Sequence, residues 1–174
     1  MHWKSLIVLL IALRAVPALG ESEGSKQCDE AWLSHSWPVA AIQCSDSAFQ
    51  RSSDISARQA EVQVAIDRGA LQADDAYVNG SDLADAHNLL TLEKSVVQST
   101  LFIAAVEDAR SAFAYHMLHR HGQAGTELGI AKYNANDSLK FADPDEQKHV
   151  NSLITLLNNP KLFSMNSDNI TLLQ

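Results

Sequence analysis

From Ser81 to His121 the chain contains neither Gly nor Pro. An uninterrupted stretch of that length is committed to helix, because relative to Ala a Gly costs a helix interior about 1 kcal/mol and a Pro about 3. Leu83, Ala86, Leu90, Val97, Leu101, Ala104, Ala105 and Ala112 step by three or four residues and lay an apolar stripe along it. Asn79-Gly80 is a turn signal before it, and Ser81 can cap it. Asp82 and Asp85 fall in the first turn, His116, His119 and His121 in the last, and Gly122 follows as a residue able to turn left-handed. One helix over these residues would be about 60 Å long at 1.5 Å per residue. A kink or break is therefore expected at the weakest helical patch, Val96 to Thr100.

The rest of the chain repeats the theme. It holds 24 Ala and only five Thr, a bias toward helix over strand. Ser52, Ser53 and Asp54 are candidate N-caps for a helix from Ile55 to about Arg68, with Val62, Ala65 and Ile66 on one face and Gly69 at its end. Residues 70–78 can continue as a short second helix. Thr126 can cap a helix carrying Leu128, Ala131, Ala135, Leu139 and Ala142. Asp143-Pro144-Asp145-Glu146 spells a capping box with Pro at the first helical position. Val150, Leu153, Ile154 and Leu157 form the apolar face behind it, and Pro160 stops that helix. Residues 161–174 lack periodicity; Leu162, Phe163 and Met165 can tuck back onto the body, and the remainder reads as loose.

The chain opens on a pattern that reads as an export signal. Lys4 precedes an unbroken apolar run, Leu6 to Leu13, then Pro17 and the small-residue site Ala18-Leu19-Gly20. The run is far short of the roughly 20 residues a bilayer span requires, so residues 1–20 read as a cleaved leader rather than an anchor or a buried helix. Export leads to an oxidising compartment, periplasmic or extracellular. The two cysteines there, Cys28 and Cys44, are expected to pair. Closing that loop restricts the unfolded chain by roughly 3 kcal/mol. Trp32, Trp37, Pro38 and Val39 lie between them and suggest a packed clasp. The expected organisation is all-α, a small helical bundle or helical-hairpin array: leader 1–20, disulfide-closed segment 21–53, helical domain 54–160 and tail 161–174.

Without Lys4 and Arg14 the chain keeps 11 basic and 21 acidic residues, a formal charge of −10. That balance opposes nucleic-acid and anionic-membrane partners, both of which are held through phosphate neutralisation. No catalytic signature such as His-Glu-x-x-His, Gly-x-Ser-x-Gly or a phosphate loop is present. The acid pairs Glu107-Asp108, Asp74-Asp75 and Asp145-Glu146 read as solvated faces or first-turn acids. His116, His119 and His121 are the one dense set of ligand-type side chains. They are expected to offset the helix dipole, which would raise the pKa values of His116 and His119, with a zinc or copper site as the alternative. Asn79, Asn136 and Asn169 each begin an Asn-x-Ser/Thr sequon, relevant only in a eukaryotic source.

From Ala109 to Pro144 a helix, a Gly turn, a second helix and Asp-Pro follow one another. With Ala131, Leu139 and Pro144 near the expected places, this segment resembles a single tetratricopeptide unit, though no second copy occurs at a 34-residue period. The expected function is an exported helical binding or protein-interaction module with a protein or peptide partner. A small metal-binding protein using the histidines, or an enzyme with a dispersed site, are the alternatives.

Overall fold

The computed structural model describes residues 22–72 and 80–173, all of whose regular structure is helical. Among the described residues five α-helices follow one another: α1 (Glu23–Leu33), α2 (Trp37–Gln72), α3 (Gly80–Met117), α4 (His121–Phe141) and α5 (Glu146–Leu157). Three 3-10 turns close the chain, at Leu162–Ser164, Ser167–Asn169 and Thr171–Leu173. The leader, Asp74-Asp75 and Asn79 lie outside the described residues.

The all-helical bundle and the disulfide agree with the sequence; several boundaries do not. The long helix α3 is continuous, with no break at 96–100. Its hydroxyl residues stay helical by donating back one turn, Ser99 Oγ to the Ser95 carbonyl and Thr100 Oγ1 to the Val96 carbonyl, both at 2.7 Å. Val96, Val97 and Leu101 are buried there. No helix starts at 52–54. Instead α2 runs straight through Ser52, Ser53, Asp54 and Gly69 to Gln72, so residues 70–72 prolong it rather than begin another helix.

Gly122 is not the stop of α3. The helix ends at Met117, and His119 takes the left-handed place at φ 59°. Arg120 N–H bonds the Tyr115 carbonyl and His119 N–H the His116 carbonyl, both at 2.9 Å, the paired bonds of a Schellman ending. The same motif closes α1: His35 stands at φ 54°, with Ser36 N–H on the Ala31 carbonyl and His35 N–H on the Trp32 carbonyl. Gly122 lies in the first turn of α4, and Thr126, well inside that helix, donates to the Gly122 carbonyl rather than capping.

The capping box of α5 is present. Asp143 Oδ1 accepts from the N–H groups of Asp145 and Glu146 at 2.9 Å, and Glu146 Oε2 accepts from Asp143 N–H at 3.0 Å. Beyond α5 the tail is folded onto the body. Leu162, Ile170 and Leu173 are buried in the core with Trp32, Phe113, Leu153 and Leu157, and Arg110 Nε holds the Leu173 carbonyl at 2.9 Å. The absence of periodicity in this segment reflects short 3-10 turns rather than looseness.

Side-chain hydrogen bonds fix the helix order. Ser111 meets Ala41, Glu107 meets Ser47 and Arg51, and Glu93 meets Arg58, so α2 and α3 are antiparallel. Asp108 meets Asn134 and Gln98 meets Ser138, so α3 and α4 are antiparallel as well. Ala104, Ala105, Ala109, Ala112 and Ala114 are fully buried on α3. Methyl side chains of this size allow helices to approach on several sides at once, which explains why α3 can be the central rod. The disulfide Cys28–Cys44 ties α1 to α2 with Cα atoms 4.6 Å apart, beside Ala31, Ala40, Ala41 and Ala114. Trp32 is buried edge-on to Trp37 and Phe113, whereas Pro38 and Val39 face outward.

Candidate functional site

A polar seam runs between α2 and α4. Ser45 Oγ donates to Glu127 Oε1 at 3.1 Å, Asn134 Nδ2 to Ser52 Oγ at 3.2 Å, and Gln59 Nε2 to Asp137 Oδ2 at 3.1 Å. Ser45, Ser52 and Gln59 are spaced one heptad apart on α2, and their partners advance in the same sense along α4, so the two helices lie parallel across the face of α3. Phe49 falls between Ser45 and Ser52, and Ile130 between Glu127 and Asn134. Helical register therefore sets Phe49 and Ile130 on opposite rims of one groove. Ile42 continues the α2 rim and Tyr133 the α4 rim. These are large apolar side chains in water: Phe49 is 74% exposed, Tyr133 66%, Ile42 52% and Ile130 44%. Farther along, Tyr133, Asp137 and Lys140 face Ser56 and Gln59 across a shallow open depression.

The groove floor is acidic, which the sequence reading missed. Glu107 and Asp108 are not solvated; they are 1% and 2% exposed. Glu107 turns toward α1 and α2. It accepts from Ser25 Oγ at 2.7 Å and Ser47 Oγ at 3.0 Å, and Arg51 Nε lies 3.2 Å from Oε2. Asp108 turns toward α4, accepts from Asn134 Nδ2 at 2.9 Å, and belongs to no salt bridge among the described residues. Burial lifts its pKa to about 8; the Asn134 hydrogen bond opposes this, and the charges of Glu127 and Glu107 add to it. Glu127 is half-buried, and burial raises its pKa too, against the Ser45 hydrogen bond and with help from Asp46. Its Oε2 is buried with no hydrogen-bond partner among the described residues. Asp137 behaves oppositely: burial pushes it up, but hydrogen bonds from Lys140, at 2.5 Å, and from Gln59 bring it below its ordinary value.

The signal for the buried acids was present. From Leu101 to Ala114 small or apolar residues occur on every face of the helix. Polar side chains set into such a segment are interior, whatever their charge. Of the other acid pair within the described residues, Asp145 is exposed and Glu146 serves the capping box.

The histidines come together in part. His116 stacks on Phe163 with centroids 4.6 Å apart and planes 6° apart; its ring lies 4.9 Å from His121, and His121 lies 6.2 Å from His119. The expectation of a raised pKa fails at His116. Desolvation lowers it first, and the neighbouring His121 and His119 lower it further. Among the described residues no group of three His, Cys, Asp or Glu side chains is arranged to hold a metal ion, and none of the helices there is long and apolar enough to cross a membrane. Asn136 is exposed within α4 and donates to the Lys132 carbonyl; Asn169 ends the second 3-10 turn.

No protein-family model matches the chain, and neither a curated protein nor a solved structure matches it. The tetratricopeptide likeness of residues 109–144 gains nothing from the fold, where the two helices concerned are 38 and 21 residues long.

Proposed function

We propose that the chain is an exported helical interaction module that docks a protein or peptide partner along the α2–α4 groove. The observation that carries this reading is the exposure of Ile42, Phe49, Ile130 and Tyr133 along the seam where α2 and α4 run parallel. Exposed apolar side chains gathered in this way commonly mark an interaction surface. The leader pattern and the disulfide support export. Two depressions, one beside Tyr133 and one beside Val39, are open to solvent, as a docking surface is, whereas acid-base chemistry requires positioned groups shielded from water.

The test is a set of amphipathic helical peptides with cationic, neutral or anionic polar faces, titrated onto the protein lacking residues 1–20. Saturable binding of one class is expected, with at least a tenfold loss in a Phe49→Ser, Ile130→Ser variant that keeps its helical circular dichroism. Binding of no class, or binding indifferent to the double substitution, removes the reading.

A second reading, a metal-binding protein, is supported by the 4.9 Å approach of His116 to His121 and by the lowered pKa of His116, which keeps its imidazole neutral as a ligand must be. It requires a saturable rise in melting temperature with zinc or copper that disappears in the His116→Ala, His121→Ala variant. No rise at modest metal excess near pH 7 eliminates it.

A further inference from the structure

We infer that the occupant of the α2–α4 groove is a cationic amphipathic helix of a partner protein, which lodges a Lys or Arg side chain between Phe49 and Ile130 over the carboxylates of Glu127 and Asp108. The inference rests on the interaction-module reading and adds the chemistry of the partner.

Charge complementarity selects this occupant. The rims are apolar and the floor carries acids, so an occupant matches the groove when one face supplies both aliphatic surface and positive charge. Lys and Arg do this in a single side chain, an apolar stem under a cationic head. The cations already nearby are committed. Arg51 pairs with Glu107, Arg110 with Asp29, and Lys140 with Asp137. What remains acidic is Glu127, with one buried oxygen lacking a donor among the described residues, then Asp108, and Asp46 one turn from Phe49. A second copy of this chain is a poor occupant, because it would bring an equally acidic groove to the interface.

The seating is linked to protons. Asp108 is faced by Asn134 and Glu127 from α4 and by Glu107 on its own helix; from α2, Ser52 bonds the same Asn134 amide and Arg51 pairs with Glu107. Among these groups only Arg51 is cationic, and Glu107 takes its charge. Burial and neighbouring acids hold Asp108 and Glu127 toward the protonated form. A cation placed over them favours the ionised form, so binding expels protons and tightens as pH rises toward 8. A downward shift of one pKa unit corresponds to about tenfold in affinity.

The experiment uses three synthetic 18-residue helices with the same Leu face and with Lys, Gln or Glu on the polar flanks. Each is titrated calorimetrically at pH 6 and pH 8.5, at fixed ionic strength, in two buffers of different ionisation enthalpy. The Lys helix is expected to bind most tightly, with net proton release and an affinity about tenfold higher at pH 8.5. Glu127→Gln should weaken it several-fold and reduce the proton release, whereas Glu30→Gln, at an exposed position of α1, should do neither. Tighter binding of the Gln or Glu helix overturns the inference and leaves the interaction module standing. Lys-helix binding that is indifferent to Glu127→Gln, or without proton release, overturns it equally. Binding of none of the three defeats both readings. Dimerisation that is abolished by Phe49→Ser identifies a second copy as the occupant and also overturns it.

Discussion

Glu107 and Asp108 are consecutive residues of one helix, both interior, and their surroundings differ. Glu107 faces α1 and α2, where two hydroxyls and the Arg51 guanidinium meet its carboxylate. Asp108 faces α4, where one amide meets it and the nearest charges are negative. The side of α3 that faces α1 and α2 is electrostatically complete and bound in by a disulfide; the side that faces α4 is short of positive charge and opens beneath an exposed apolar rim. A buried carboxylate is tolerated either by pairing or by protonation, and this helix uses both solutions within one peptide unit. Structure and binding are thereby separated: the paired side holds the bundle together, and the side deficient in charge is where a partner's charge has most to gain.

The largest effect is expected from breaking the complete side. Arg51→Met removes the cation and retains much of the aliphatic bulk, leaving Glu107 buried and unpaired. A loss of about 3–5 kcal/mol is expected, read as a lower urea midpoint in equilibrium unfolding. A loss below about 1 kcal/mol would mean that Ser25 and Ser47 suffice for Glu107 and that the two sides are more alike than their charges indicate.

Asp108→Asn should act in the opposite direction. A folded pKa of about 8 against an unfolded value near 3.8 means that the native state retains a proton which the unfolded chain has released. The stability tied to that proton is complete below pH 4 and is lost progressively as pH rises to about 8. Asn cannot ionise, and it still offers an oxygen to Asn134. The variant should therefore be more stable at pH 7 by about 2–4 kcal/mol. The advantage should shrink toward zero at pH 4, and unfolding curves measured from pH 4 to 9 would show it. A variant less stable than the parent at pH 8 would show that Asp108 is ionised and compensated in the fold.

The contrast between legible and illegible features follows the range of the interactions involved. Asp143 and Glu146 satisfy each other within four residues, so the sequence alone predicts the cap, and Asp143→Ala should cost about 1 kcal/mol. The disulfide was legible from the cysteine number together with the leader-like pattern at the N-terminus. The buried acids were missed because charge was weighed above the apolar, Ala-rich context of residues 101–114. The α3 stop was misplaced because Gly122 is the commoner left-handed residue, whereas the chain uses His119, a type that also enters that region. The tail looked loose because 3-10 turns carry no long period, yet Ile170 and Leu173 fill the core. The α2–α4 groove could not be read at all. It arises from Ser45, Ser52 and Gln59 meeting residues roughly 80 positions away, and no local pattern encodes such a pairing.

The smallest effect tests whether the incomplete side is one electrostatic unit. Glu127 and Asp108 each raise the cost of ionising the other only if they share the floor of the groove; Glu127 is one of the charges that lift Asp108. Glu127→Gln alone should stabilise the fold by about 0.5–1 kcal/mol near pH 7, since a half-buried acid loses part of its burial cost to solvent screening. If the two acids repel, each substitution relieves the other. The double variant Asp108→Asn, Glu127→Gln should then gain less than the sum of the single changes, with a coupling of about 0.5 kcal/mol. Because Glu107 has its own arginine, Asp108→Asn paired with a change at Arg58, whose partner is Glu93 elsewhere on α3, should be additive. Coupling of Asp108 to Arg58 as strong as its coupling to Glu127 would mean that charge is shared along the whole of α3, and the division into two sides would have to be abandoned.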